Sequence, residues 1–535
     1  MILGPPGTGK TTTILNEIDR LLSHGVDPSE IGFYSFTRAA CEEAKNRAAD
    51  RFGLDPDGPD LANFRTIHSQ AFRLIGKDHG AVMKDASWQA FAEWARCRFT
   101  PPGVHEPTDN LMLPALVTEG DKLRHVYDLA RLCRCSISKA MLRAGTSVET
   151  MSVDQVERFA RKLEEYKRSE KLIEFVDMLT IATKTARLPS VRFAFFDEAQ
   201  DNCKVQFELV EHWAIRNPRC ERVTIVGDDD QAIYCWSGAS PDLLIEYTKK
   251  HPTRVLEQSW RIPASVHRFA QRIIAQNRDR LAKVYRPKTE AGAVTVSTDV
   301  ESVLDDCAGS DEEIMLLCRN IMFAGRYREE CMRRGLRFRC EVGEAAPLQS
   351  ETARDAFLAM GALLRRKTIR AVPFAHMLEV IPSKIEGERI LPHGVKEAAK
   401  RNETLVDEAR AVGEFKLASF IERARAMGNP FELFARLPAE ERSYMAVTYS
   451  RDPTLAKAGG VTITTMHRSK GRQADTVILS SDVSSATHRE MMDGDREGEN
   501  RVAYVAATRA KKRLAIVRPS RSKYYDYERF VGGAA

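Results

Sequence analysis

The sequence contains no uninterrupted apolar run of about 18 residues, the length that a membrane-spanning helix requires. Its first residues lack a basic segment followed by an apolar core, so we expect no secretory signal. Neither internal repeats nor low-complexity tracts are present. The 535 residues are too many for one hydrophobic core, and three or four domains are expected. Hydrophobic residues at 43% and charged residues at 29% are typical of a globular protein.

Closely paired cysteines and a strong charge excess are also missing. The 11 cysteines are scattered, and Cys133 and Cys135 lie two positions apart without a second close pair. This spacing argues against a zinc site. Isolated thiols suit a reducing compartment, so we expect a cytoplasmic protein. The net charge of +6, from 81 basic and 75 acidic residues, permits a nucleic-acid partner without arguing for one.

The segment GPPGTGKTT near the start of the chain is a phosphate-binding loop pattern. It comprises Gly4, Pro5, Pro6, Gly7, Thr8, Gly9, Lys10, Thr11 and Thr12. It matches G-x-x-x-x-G-K-[ST] and lies between a short apolar strand and an amphipathic helix predicted over 12–22. Backbone N–H groups at such a helix start bind phosphates. We expect Lys10 to bridge the β- and γ-phosphates of a nucleoside triphosphate, and Thr11 to bind Mg²⁺.

A pair of carboxylates follows a second apolar strand, predicted over 193–196. This strand belongs to the segment VRFAFFDEAQD and leads directly into Asp197 and Glu198. Alone, such a pair is most often a solvated strand end. Together with a phosphate loop, Asp197 is placed to hold Mg²⁺, and Glu198 is placed to deprotonate the attacking water.

A third segment, VTIVGDDDQAIYCWSGAS, combines an apolar strand at 223–226 with polar and aromatic residues. The Gln231 amide can both donate and accept, so it is a candidate contact for the γ-phosphate. Tyr234 and Trp236 follow at a strand exit, where ligand-binding loops gather. An aromatic pair there is explained either by core packing or by a platform for base stacking, and both interpretations stay open.

These segments and their order resemble the motifs of superfamily 1 DNA helicases, in the UvrD/Rep/PcrA-like branch. The resemblance includes DEAQD, GDDDQAIYCWSGA and LEQSWRIP at 256–263. Residues 461–479 resemble motif V of that family, and residues 499–514 resemble motif VI. FYSFTRAACEEAKNR at 33–47 and RTIHSQAF at 65–72 resemble motifs Ia and Ic. The ordered set spans nearly the whole chain and is far more specific than a phosphate loop alone.

The resemblance implies an α/β fold with two RecA-like parallel-sheet P-loop NTPase domains, each with a mostly helical inserted subdomain. The expected ranges are 1–77 and 179–265 for the N-terminal domain, 78–178 for its insertion, 266–345 and 458–535 for the C-terminal domain, and 346–457 for a short second insertion. Apolar segments at 294–297, 314–318, 461–464, 476–479 and 514–517 predict the second sheet. The first insertion, with a proline-rich loop at 101–114, serves either as a scaffold or as a contact for duplex or displaced strand.

The resemblance also implies roles for individual residues. Gln231 would sense the γ-phosphate, and Trp260 would stack on adenine. Arg261 and Arg509 would be arginine fingers that grip ATP from the lobe opposite Lys10. Gln473 stands where the family usually has a glutamate that helps to hold the ribose. The track for single-stranded DNA would be lined by Thr37, Arg38, His68, Tyr234, Trp236, Thr465 and His467.

The sequence thus predicts an ATP- and Mg²⁺-dependent translocase and helicase that acts on single-stranded DNA and single-strand/duplex junctions. Movement from 3′ to 5′, and service in replication, repair or recombination, follow only from the family branch. One alternative is an RNA helicase or a 5′-to-3′ motor. Another is an ATP-switched binding module that remodels protein–DNA complexes. The family's adenine-reading glutamine motif lies upstream of the phosphate loop, where this sequence has only three residues, so either the start is truncated or base specificity is loose. Ser237 stands where an arginine is common in the family.

Overall fold

The computed structural model describes residues 1–100, 118–148, 150–307, 311–455 and 460–532. The chain divides into two compact units. Unit 1 comprises Met1–Gly292 and Ser485–Thr508, and unit 2 comprises Ala293–Ser484 and Arg509–Ala535. The predicted loop at 101–114 lies outside the described residues. Among the helices that the structure describes, none combines the length and the apolar character needed to cross a membrane.

Unit 1 is built around a six-stranded, fully parallel sheet. Its strands are β1 (Ile2–Leu3), β2 (Ile31–Ser35), β3 (Phe64–Thr66), β4 (Phe193–Phe196), β5 (Arg222–Gly227) and β6 (Arg254–Val255). Their order across the sheet is β3-β2-β4-β5-β1-β6. Central strands such as β2 and β4 are buried along their whole length, because helices cover both faces of a parallel sheet. The continuous apolar run of β4 made that strand predictable.

Helices alternate with these strands and extend into the first insertion. They are α1 (Lys10–Ser23), α2 (Arg38–Phe52), α3 (Ile67–Ile75), α4 (Asp85–Ala95), α5 (Glu119–Leu132), α6 (Ile137–Ala144), α7 (Val153–Glu170), α8 (Phe175–Ala182), α9 (Lys204–Val210), α10 (Pro241–Lys250) and α11 (Ala264–Ile274). Helices α4 to α7 enclose an apolar core of their own that includes Phe91, Leu129, Phe159 and Leu163. The region expected to be an insertion therefore has an independent packing centre.

Unit 2 contains a second six-stranded parallel sheet, which confirms the fold class. Its strands are β7 (Ala293–Ser297), β8 (Glu313–Cys318), β9 (Phe338–Cys340), β12 (Gly460–Thr465), β13 (Ala474–Ser480) and β14 (Ala510–Val517), while β10 (Lys384–Ile385) and β11 (Glu388–Arg389) form a separate hairpin. The sheet order is β7-β14-β13-β8-β12-β9. All five predicted strands are present. The edge strand β9 was missed because it is only three residues long and alternates with an exposed arginine.

The helices of unit 2 share one continuous core with its sheet. They are α12 (Val300–Cys307), α13 (Ala324–Arg333), α14 (Glu351–Leu364), α15 (Ala371–Val380), α16 (Val395–Lys400), α17 (Glu408–Gly413), α18 (Ala418–Ala426) and α19 (Ala439–Arg451). Phe357 and Phe374 of the second insertion belong to the same buried cluster as Leu316 of β8. The expected second insertion therefore shares its apolar core with the sheet, whereas the expected first insertion has a cluster of its own.

The chain then returns to unit 1 to form α20 (Ser485–Asp493) and α21 (Arg496–Ala507). This differs from the expected boundaries, which placed 266–292 and 485–508 in the C-terminal domain. Polar contacts explain the difference. Asn500 donates to the Asn277 side chain at 2.8 Å, and Arg501 donates to the carbonyl of Asp279 at 2.7 Å. The division into four subdomains stays a prediction.

Candidate active site

The phosphate loop connects β1 to α1 and depends on three glycines. Gly7 and Gly9 have φ values of 73° and 81°, a left-handed backbone that favours glycine. A Cβ at Gly4 would overlap the side chain of Lys10. Gly9 occupies the N-cap position of α1, so the helix begins at Lys10 with its first N–H groups directed at the loop. This arrangement suits phosphate oxygens.

The loop is held by contacts that the sequence did not reveal. The hydroxyl of Ser259 donates to the Pro6 carbonyl at 2.9 Å, and the backbone N–H of Trp260 donates to the Gly7 carbonyl at 2.9 Å. Ser259 was missed because a lone serine beside a tryptophan carries no pattern. Inside the loop, the hydroxyl of Thr8 donates to the Pro5 carbonyl at 2.7 Å. The segment around Ser259 therefore supports the shape of the loop from outside.

Four predicted residues meet where α1 begins and β4 ends. The Lys10 ammonium lies 3.5 Å from the Glu198 carboxylate, and the Thr11 hydroxyl donates to Asp197 at 3.2 Å. Glu198 has a φ of 52°, a left-handed conformation that costs about 1–3 kcal/mol for a non-glycine residue and clusters at functional sites. The structure thus brings together the loop and the acidic pair, which are far apart in the sequence.

The side chains of Thr11 and Asp197 fit a magnesium ion. Asp197 is buried, and burial together with the neighbouring Glu198 carboxylate raises the pKa of Asp197 to about 7. A divalent cation would relieve this repulsion and restore the ionised form. Magnesium is commonly held by one or two protein oxygens together with substrate phosphates and water. Among the described residues, no cluster of three or more His, Cys, Asp or Glu side chains that could hold a metal ion occurs.

Gln231 follows β5 and is fixed by a buried network of charges. Its Nε2 donates to Asp228 at 2.7 Å, and Lys283 lies 2.9 Å from the other oxygen of Asp228. Lys283 also contacts Asp229, and it lies 3.0 Å from Asp230. Burial alone would lower the pKa of Lys283, but these carboxylates raise it. In the sequence, only the run of three adjacent aspartates indicated that a buried cation such as Lys283 would be needed beside them.

Arg261 and Trp260 lie beside the phosphate loop in unit 1. A Cβ at Gly7 would come within 2.5 Å of the Cβ of Arg261. Burial lowers the pKa of Arg261, whereas the Glu198 carboxylate opposes this change. The expectation that Arg261 lies in the lobe opposite Lys10 is wrong, because both residues belong to one unit; its contact with ATP stays a prediction. Trp260 is 76% exposed, which leaves its ring accessible to a stacking base.

Three of the predicted DNA contacts lie at the start of α2 and in α3 of unit 1. Thr37 caps α2, accepting a hydrogen bond from Ala40 N–H at 3.2 Å, and Arg38 is exposed in the first turn. His68 lies in α3, and the centres of its ring and the Phe175 ring are 6.1 Å apart in an edge-on arrangement. Burial lowers the pKa of His68 to about 4, so the ring is neutral at physiological pH.

The aromatic pair that follows Gln231 packs partly against its own unit. The rings of Tyr234 and Phe36 lie 5.6 Å apart, and Trp236 meets Tyr234 edge-on at 6.2 Å. Both Tyr234 and Trp236 remain half-buried. Core packing therefore accounts for part of each ring, while the remaining surface is accessible to a base.

The other predicted contacts lie in unit 2. Thr465 ends β12, where its hydroxyl accepts a hydrogen bond from Arg468 N–H at 3.4 Å, and His467 is buried nearby. Gln473 is exposed, directly before β13. Arg509 is buried and donates to the Arg472 carbonyl at 3.2 Å. It directly precedes β14, whereas the helix before it, α21, belongs to unit 1 and not to the second domain, where the predicted ranges place it.

Comparison with known proteins gives consistent matches along the chain. The family model described as UvrD/REP helicase N-terminal domain matches residues 1–252. The model described as UvrD-like helicase C-terminal domain matches residues 137–520, which is more than half of the chain.

Individual relatives include the ATP-dependent DNA helicase UvrD2 of Mycobacterium tuberculosis, 24% identical over 96% of this chain and 76% of that protein. The ATP-dependent DNA helicase Rep of Escherichia coli is 27% identical over 52% of this chain and 41% of its own length. The ATP-dependent DNA helicase PcrA of Staphylococcus aureus is 25% identical over 57% of this chain and 40% of its own length. With two parallel sheets, a phosphate loop and an adjoining acidic pair, the chain belongs to the UvrD/Rep family of ATP-dependent DNA helicases.

Proposed function

We propose that this protein is a single-stranded DNA translocase and helicase that moves from 3′ to 5′ and opens duplexes at junctions during replication, repair or recombination. The observation that carries the proposal is the cluster of Lys10, Thr11, Asp197 and Glu198 at the phosphate loop. The names of its relatives, which are ATP-dependent DNA helicases, support the substrate. The direction follows from the family branch.

The residues of unit 1 divide the work of hydrolysis. Glu198 accepts the proton of the attacking water, while Lys10 balances charge on the β- and γ-phosphates. Gln231 orients the γ-phosphate from the loop after β5. Thr11 and Asp197 hold Mg²⁺, which supplies charge neutralisation for the phosphates when it is bound. Trp260 stacks on the adenine ring, and Arg261 stabilises the charge that develops on the phosphates.

Unit 2 supplies the remaining contacts of the proposed cycle. Arg509 acts as an arginine finger, a contribution worth roughly 10³–10⁵ in rate in comparable enzymes. Gln473 helps to hold the ribose. In the proposed cycle, some contacts form with ATP and are lost with its products. This difference in binding shifts the equilibrium between two conformations of the protein in each cycle, as any ligand-driven switch requires.

Single-stranded DNA is proposed to follow a track of polar and aromatic side chains, comprising Thr37, Arg38, His68, Tyr234, Trp236, Thr465 and His467. Stacking on aromatic rings contributes about 1–3 kcal/mol per base without reading sequence. We therefore expect little sequence preference. The eleven cysteines are all free thiols, which supports a reducing, cytoplasmic setting for this activity.

The test is unwinding of a duplex with a single-stranded tail at either the 3′ or the 5′ end, made of DNA or RNA. We expect ATP-dependent unwinding only with the 3′ DNA tail, and ATPase activity that rises strongly with single-stranded DNA. Glu198→Gln should bind ATP and DNA but should neither hydrolyse ATP nor open the duplex. Glu208→Gln, which alters an exposed pair with Arg134, is the matched control.

Each contrary outcome points to a different function. Unwinding from the 5′ tail would reverse the proposed direction, and preference for an RNA tail would change the substrate, because proteins recognise the 2′-hydroxyl. ATP-dependent DNA binding without turnover would indicate a remodelling switch. Normal unwinding by Glu198→Gln would remove Glu198 from the role of base.

A further inference from the structure

Gln200 connects two parts of the active site that the sequence presents as separate motifs. It is fully buried in the short turn that follows β4, two residues after Glu198. Its Nε2 donates to the Glu198 carboxylate, and its Oε1 accepts a hydrogen bond from the backbone N–H of Asp228 at 2.9 Å. One side chain thus joins the proposed base to the loop after β5.

That loop continues to the proposed γ-phosphate sensor and to the aromatic pair. Asp228 accepts a hydrogen bond from Gln231 at 2.7 Å. A continuous series of hydrogen bonds therefore runs from Glu198 through Gln200 and Asp228 to Gln231. Tyr234 follows three residues later, so a displacement of the aromatic pair by DNA acts on the same short loop.

The backbone at Gly227 and at Glu198, on either side of Gln200, is compatible with these hydrogen bonds. A Cβ at Gly227 would lie 2.8 Å from Gln200 Oε1, 3.1 Å from Leu244 Cδ2 and 3.3 Å from the Gln200 backbone N, so a larger residue would press on the Gln200 amide and on Leu244. At the other end, the left-handed backbone of Glu198 is not one that glutamate prefers. Its carboxylate is contacted by the Lys10 ammonium and by the Gln200 amide.

We propose that Gln200 is a positioning residue that transmits DNA occupancy at the aromatic pair to the carboxylate of Glu198. When DNA shifts the loop, the hydrogen bonds through Asp228 move Gln200, which turns the carboxylate toward the attacking water. The proton of that water goes to Glu198, and the Gln200 amide keeps its own protons. This inference rests on the proposed function, because it assumes that DNA stimulates hydrolysis.

The test is Gln200→Met, which keeps the length of the side chain and removes both hydrogen bonds. Steady-state ATPase rates are measured with and without a saturating single-stranded oligonucleotide, and DNA affinity is measured by fluorescence anisotropy. We expect the ratio of kcat with DNA to kcat without DNA to fall at least about fivefold, while KM for ATP and Kd for DNA stay within about twofold. The control is Gln206→Met, a buried glutamine that caps α9 through Cys203 N–H at 2.8 Å; it should keep the wild-type ratio.

The outcomes separate this inference from the proposed function. A wild-type protein without DNA stimulation would end both, whereas stimulation that persists in Gln200→Met would overturn only the role of Gln200. A parallel loss in Gln206→Met would indicate general packing damage and would also overturn it. If Gln200→Met does not fold, the second variant is Gly227→Ala, which places a methyl group 2.8 Å from the oxygen of the same amide. A normal stimulation ratio in that variant refutes the proposal, and a selective loss of kcat supports it.

Discussion

Replacing Asp197 by asparagine should stabilise the nucleotide-free protein at neutral pH while abolishing Mg²⁺-dependent hydrolysis. Burial and the Glu198 carboxylate raise the pKa of Asp197 from 3.8 to about 7. At pH 7, this difference between folded and unfolded chain corresponds to a cost of about 4 kcal/mol. Asparagine fits the site, since its oxygen can accept from the Glu198 N–H and its amide can donate to Thr11. Allowing for relaxation around the charged pair, we expect a gain of about 1–3 kcal/mol.

The sign of the pH dependence follows from the direction of the pKa change. Below about pH 4, Asp197 is protonated in both the folded and the unfolded chain, so it contributes no difference in stability. Between about pH 4 and 7 the unfolded group ionises while the folded group retains its proton, and the wild-type protein loses stability. The advantage of Asp197→Asn should therefore be near zero at about pH 4 and complete above about pH 7.

Thermal unfolding with a metal chelator, at several values between about pH 5 and 8, measures this effect. A gain of about 1–3 kcal/mol corresponds to a rise in Tm of roughly 2–6 °C. Asp230→Asn is the contrasting control. Burial alone would raise the pKa of Asp230, but Arg280 and Lys283 lower it below its usual value. Ionised Asp230 therefore stabilises the fold, and its replacement should lower Tm. A lower Tm for Asp197→Asn at neutral pH, or a gain of equal size at both ends of the pH range, would refute the reasoning.

Two further substitutions test other parts of unit 1. Lys283→Met leaves the carboxylates of Asp228, Asp229 and Asp230 without their shared ammonium and should destabilise the protein by about 3–5 kcal/mol. Thermal denaturation measures the loss of stability, with Lys204→Met at an exposed lysine as the control. An unchanged Tm for Lys283→Met would contradict the prediction. Trp260→Ala should leave Tm unchanged because the ring is 76% exposed, yet raise KM for ATP about 5- to 150-fold if stacking contributes about 1–3 kcal/mol. Trp94→Ala is the control, and an unaltered KM excludes the stacking role.

The sheets and the phosphate site were predictable because they leave local signals. Strands buried on both faces are continuous apolar runs, so β4 was located at the observed residues, and every strand of the second sheet except β9 was located, although β14 begins well before its predicted start. The phosphate loop has a fixed spacing of glycines and lysine. The carboxylates of Asp197 and Glu198 follow a strand whose carboxyl end meets the loop in any parallel sheet of this kind.

The supporting contacts were not predictable, because they join polar residues that are far apart in the chain and follow no period. Lys283 is 54 residues away from Asp229, one of the aspartates that it neutralises, and Ser259 is 253 residues away from Pro6. The expectation that Arg261 lies in the lobe opposite Lys10 was wrong for the same reason. A motif gives the order of residues along the chain, whereas the unit to which each residue belongs depends on tertiary packing.

The return of the chain to unit 1 has a consequence for biosynthesis. On the ribosome, Asn277 and Tyr285 emerge long before their partners Asn500 and Tyr504. At about 5–20 residues per second, the interval of roughly 200 residues lasts about 10–40 s. Throughout that time the nascent N-terminal portion lacks the helix that covers it, so a product truncated before Ser485 leaves a permanently uncovered surface for chaperones and proteases to recognise.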